Sequence, residues 1–120
     1  MNKEILEYQR AILSGLIIES FIPEENNERL SLIVDILNSK SHLFSDVQVS
    51  ILKKALTEIE TVRAEGCYEC WIISEAFIET LNDNEKSEFI EILSTGALVV
   101  NAIPAYLKLI HKKTLLRKVI

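Results

Sequence analysis

The chain has 120 residues, 48% hydrophobic and 26% charged, with three glycines, two prolines and a formal net charge of −5. That length suits one domain, residues 1–120, with a core that needs no staples. The shortage of turn residues excludes sandwiches and barrels in favour of long helices and short loops. The acidic balance disfavours nucleic acid, whose phosphates require clustered lysine and arginine.

Two cysteines make no disulfide framework. Glu4 and Glu7 precede a short apolar run broken by Ser14 and Gly15, unlike a secretory signal with its positive start and clean apolar stretch. The longest nearly uncharged run, 92–107, falls short of the ~20 residues that a membrane span requires. A cytoplasmic protein is therefore expected.

The first helix is expected over 3–22. Ile5, Ile12 and Leu16 form its stripe and Leu6, Leu13 and Ile17 lie beside it. An apolar arc that wide suits a central helix touching several neighbours. Pro23 stops this helix or opens the next, because proline lacks an N–H but fits a first helical position. Glu24 and Glu25 follow where the helix dipole favours carboxylates. Leu30, Ile33, Val34 and Leu37 then mark a second helix, and residues 38–41 read as a loop.

Ser45, Asp46, Val47 and Gln48 fit a capping box for the third helix, with Phe44 and Val49 spaced as a hydrophobic staple. Ile51 or Leu52, Ala55, Ile59 and Val62 continue its face, and Gly66 suits its end. A fourth helix is expected over 67–81, carrying Trp71, Ile72, Phe77, Ile78 and Leu81. Asn82 and Glu85 stand at capping-box spacing before a fifth helix holding Phe89, Ile90 and Leu93. Past Gly96 the pattern fits either helix or extended chain. Pro104 disfavours helical geometry at Ile103, so the last helix opens near Pro104 and runs towards Lys118. The sum is an all-α, single-domain bundle of five or six amphipathic helices.

Charge is divided along the chain. Residues 1–91 hold all 18 acids and eight of the 13 bases, a net −10, whereas residues 92–120 hold five bases and no acid, a net +5. Those bases are Lys108, Lys112, Lys113, Arg117 and Lys118, and His111 adds to them below neutral pH. Three explanations fit. The basic helix packs against the acidic body, it lies on a membrane surface, or it docks on an acidic partner together with Tyr106. Lys113 and Arg117 intrude into the apolar arc of the last helix, which counts against the membrane reading.

Motifs for chemistry are weak. Cys67 and Cys70 form a C-x-x-C at a helix start, but redox motifs of that kind follow a strand. Zinc needs two more ligands, and His42 and His111 lack finger spacing. Glutamate pairs occur at Glu4/Glu7, Glu25/Glu28 and Glu88/Glu91, without the Glu-x-x-His of di-iron bundles, so most of these carboxylates are expected on solvated faces. Gly15, Gly66 and Gly96 stand apart and build no phosphate loop. No catalytic residue, cofactor or metal ligand is expected.

What remains is a non-enzymatic protein-binding or regulatory protein acting through charged helix faces. Another protein is the expected partner and a homo-oligomer is compatible. The analogy is with small inhibitors and immunity proteins, which work by covering a partner's surface. Lys108, Lys112, Lys113, Arg117, Lys118 and Tyr106 are the candidate contact residues.

Overall fold

The helical periodicity closes into a bundle. The structure, a computed structural model, describes residues 3–17, 23–64, 75–96 and 98–119, with side chains for all of these except 23–27, 62–64, 75–76 and 116–119. Within them lie six α-helices and no strand: α1 (Lys3–Ile17), α2 (Pro23–Asp35), α3 (Asp46–Ala64), α4 (Glu75–Glu79), α5 (Asp83–Ser94) and α6 (Ile103–Val119). The radius of gyration is 14.1 Å, close to the ~13.6 Å expected of a compact chain this long.

The wide apolar arc of α1 has the expected consequence. This helix packs against α2, α3, α5 and α6, and Ile12, Leu13, Leu16 and Ile17 are fully buried. Gly15 serves a close crossing. The chain after α5 passes over α1 at this point, with the Leu98 N–H donating to the Ala11 carbonyl at 3.3 Å and Ser14 Oγ donating to the Thr95 carbonyl at 3.2 Å. A Cβ on Gly15 would lie 2.2 Å from the Leu98 oxygen, so no larger residue fits without moving the backbone.

Both capping boxes form. At α3, Gln48 N–H donates to Ser45 Oγ at 3.2 Å and Ser45 N–H donates to Gln48 Oε1 at 2.9 Å. At α5, Glu85 N–H donates to Asn82 Oδ1 at 2.9 Å, and Asn82 N–H donates to Glu85 Oε1 at 2.8 Å. Phe44 is buried and Val49 packs against the core, as a staple position requires. Gly66, Cys67, Cys70 and Trp71 lie outside the described residues, as does the expected extension of α1 over 18–22.

Two expectations need correction, and two helices turn apolar residues outward. The loop expected at 38–41 is helical, because α2 continues into a π-helical turn (Ile36–Lys40) and a 3₁₀ turn (Ser41–Leu43). Those turns carry Ile36 and Leu43 into the core, and Gln9 Nε2 ties the corner to α1 by donating to the Leu43 carbonyl at 2.7 Å. In α2 the inner face is Ile33 and Ile36, while Val34 is exposed. In α5 the inner face is Glu85, Phe89 and Ile92, leaving Ile90 and Leu93 60% and 46% exposed. The buried capping glutamate fixes that rotation. Finally, Ile103 is helical at φ −57° and ψ −47° despite the proline after it. Pro104 falls in the first turn, where its missing N–H costs nothing, and full burial of Ile103 offsets the local steric preference. Ahead of it, Val99 is extended and residues Val100–Ala102 make a 3₁₀ turn.

Candidate functional site

The last helix has two faces of opposite character. Ile103, Leu107 and Ile110 are buried in the bundle, while Lys108, His111 and Lys112 are exposed. The spacing i, i+3, i+4 sets those three on one stripe. Neither Lys108 nor Lys112 has an acidic partner among the described residues, and Leu115, 49% exposed, follows on the next turn.

The other predicted contact residues behave differently. Lys113 turns back to α1, its Nζ 3.1 Å from Glu4 Oε2. Tyr106 is half-buried, and its ring meets Tyr8 edge-on with centroids 5.3 Å apart. Tyr8 in turn donates its hydroxyl to Glu4 Oε1 at 2.9 Å. The Tyr8 hydroxyl and the Lys113 ammonium together hold the Glu4 carboxyl below its ordinary range. Arg117 and Lys118 belong to α6, but their side chains lie outside those described. The basic segment is thus partly anchored to the acidic body and partly free of it.

Beside the free stripe lies a hollow of about 490 Å³, open to solvent, between the π-helical corner and α6. Leu32, Leu43, Pro104 and Leu107 give it an apolar lining. Lys40, His42, Lys108 and His111 stand around it together with Asp35. The single carboxylate is already engaged, because the Lys40 ammonium bonds it directly and Ser39 Oγ donates to it at 3.2 Å. His42 and His111 meet edge-on, with ring centroids 6.3 Å apart. Periodicity could not reveal this pairing. The residues lie 69 positions apart, and only the π-helical turn and the seat of Leu43 in the core bring them together. Lys40 and His42 are therefore site residues that the sequence reading missed.

A second polar cluster bridges α1, α3 and α5 and is partly buried between them. Arg10 on α1 grips Glu88 on α5 with two hydrogen bonds, Nε to Oε2 at 3.0 Å and Nη2 to Oε1 at 2.8 Å. Gln48 Nε2 donates to the same carboxylate at 3.0 Å. Glu85 is 2% exposed and receives the Lys54 ammonium at 2.6 Å, the Asn82 N–H and the Ser50 hydroxyl. Burial works against its charge, but these donors outweigh it and hold the carboxyl at about 2. Burial opposes the charge on Glu88 as well, and Arg10 and Gln48 again bring its carboxyl below the ordinary value. Of the paired glutamates, most of which were expected on solvated faces, Glu88 departs from that expectation. The lone pairs of Glu85 and Glu88 are occupied by fixed donors from neighbouring helices, so the cluster serves as internal cross-bracing.

Among the described residues, no group of three or more His, Cys, Asp or Glu side chains is placed to hold a metal ion. Among the same residues, no helix is long and apolar enough to cross a membrane. The charged stripe and its adjoining hollow remain as the candidate contact surface. No protein-family model, curated protein or solved structure matches the chain, so the reading of this surface rests on its own residues.

Proposed function

We propose that this chain is a non-enzymatic, cytosolic binding or regulatory protein that docks on an acidic surface of another protein through the outer face of α6. The supporting observation is the stripe of Lys108, His111 and Lys112, two of whose charges have no acidic partner among the described residues. The rest of the chain carries abundant carboxylate, and the Lys113–Glu4 contact shows such pairing within reach of this helix. A stripe of positive charge on an otherwise acidic protein speeds the encounter with a negative surface and sets its orientation. The acidic body rejects the wrong approach by repulsion.

The test is affinity purification of the tagged protein from its native host, with mass spectrometry and light scattering on the eluate. A Lys108→Glu/Lys112→Glu variant runs in parallel. A stoichiometric partner retained by the parent, lost by the variant and weakened by added salt supports this function. An uncomplexed monomer, or a partner held equally by both proteins, removes it.

A further inference from the structure

The hollow beside the basic stripe has a chemistry of its own. Its lining is aliphatic, formed by Leu32, Leu43, Pro104 and Leu107. Lys40, Lys108, His42 and His111 stand around it, and its one carboxylate, Asp35, is neutralised by Lys40. Lys112 stands one turn beyond Lys108 on the same exposed face. A ligand that fills such a site has an apolar group to displace water from the lining and negative charge to face the rim.

We infer that the hollow seats a single large apolar side chain of an acidic segment on the partner protein, with carboxylates on either side of that side chain meeting Lys108, His111 and Lys112. This rests on the binding function proposed above and adds the identity of the anchor. At about 490 Å³ the space accepts a leucine or an aromatic ring, and a few side chains seated in well-packed pockets carry most of the energy of a protein interface. Charge complementarity selects the segment. The rim is positive, because Asp35 is held by Lys40 while Lys108 has no acidic partner among the described residues, so a basic or neutral segment gains nothing at the rim and an acidic one is held in a single register.

The test titrates the isotope-labelled full chain with short synthetic peptides and follows amide shifts by NMR. One peptide has a central leucine flanked by glutamates, one has alanine in place of the leucine, and one has lysines in place of the glutamates. The leucine peptide is expected to shift Leu43, Leu107 and Lys108 and to bind about tenfold tighter than the alanine peptide. The lysine-flanked peptide is expected to leave the spectrum unchanged. Filling the hollow by His42→Trp, an exposed position, should abolish the leucine advantage. Lys108→Glu should weaken both acidic peptides. Circular dichroism confirms that each variant is folded.

Equal binding of the leucine and alanine peptides overturns the inference yet leaves the charged docking surface standing. Shifts confined to other faces, or none, overturn it too, and the affinity purification then decides the wider function separately. Sedimentation of the chain with phosphatidylserine vesicles in the absence of peptide binding assigns the site to lipid instead. Self-association that competes with the leucine peptide assigns it to a second copy.

Discussion

Glu85 offers the sharpest check on how the bundle is held together. Its carboxylate caps α5, pairs with Lys54 at 2.6 Å and accepts from Ser50, all at 2% exposure. Glu85→Gln keeps the shape and an acceptor for the Asn82 N–H but removes the charge. The fall of this carboxyl from an ordinary 4.5 to about 2 corresponds to about 3 kcal/mol of stability at neutral pH. Because the folded value is the lower one, that stability is fully present above 4.5 and is lost as pH falls towards about 2. Urea unfolding of both proteins, followed by circular dichroism at a series of pH values, reads this directly. At neutral pH the variant should be less stable by about 2–3 kcal/mol, with a melting temperature roughly 10 °C lower. The two curves should converge below 4.5 as the wild-type carboxylate takes up its proton. A constant gap across that window, or no gap at neutral pH, would falsify the account of Glu85 as a charged brace.

Other substitutions probe separate contacts. Gly15→Ala sets a methyl group 2.2 Å from the Leu98 oxygen and should destabilise the fold by about 1–3 kcal/mol; thermal melts unchanged from wild type would mean that residues 98–99 do not cross α1 as described. Glu88→Gln breaks the two-bond grip of Arg10 and should cost about 1–3 kcal/mol in chemical denaturation, whereas a neutral result would show that the pair is replaced by water. Lys113→Ala removes a contact to the half-exposed Glu4 and should leave the melting temperature unchanged, since exposed pairs contribute little. A clear drop on that substitution would make the α1–α6 pair structural.

The fold was legible wherever a signal is local. Capping boxes at Ser45 and Asn82 join residues three positions apart, so spacing alone locates them, and both form. The wide apolar arc of α1 announced a central helix, because no other position in a bundle covers so broad a stripe. All-helical architecture followed from the scarcity of glycine and proline together with a repeated 3.6-residue period. The divided charge was equally open to inspection, since it requires only counting along the chain.

Helix rotation and the site were decided elsewhere. Ile90 and Leu93 are as apolar as Phe89, yet α5 turns them outward and buries Glu85, a choice that depends on Lys54 and Ser50 from another helix. Residues 38–41 read as a loop because local sequence cannot register the burial of Ile36 and Leu43, which keeps the chain helical there. Ile103 adopts helical geometry against its local preference for the same reason. Whether a given lysine is free or paired is likewise a matter of what packs beside it: Lys113 meets Glu4, while Lys108 and Lys112 look outward. The sequence by itself determined that this chain makes amphipathic helices and where charge lies along it, since periodicity, caps and counts are short-range properties. Tertiary packing alone decided which faces turn inward and brought His42, Lys40 and His111 around one apolar hollow, because burial is a property of neighbours that the chain supplies from far along its length.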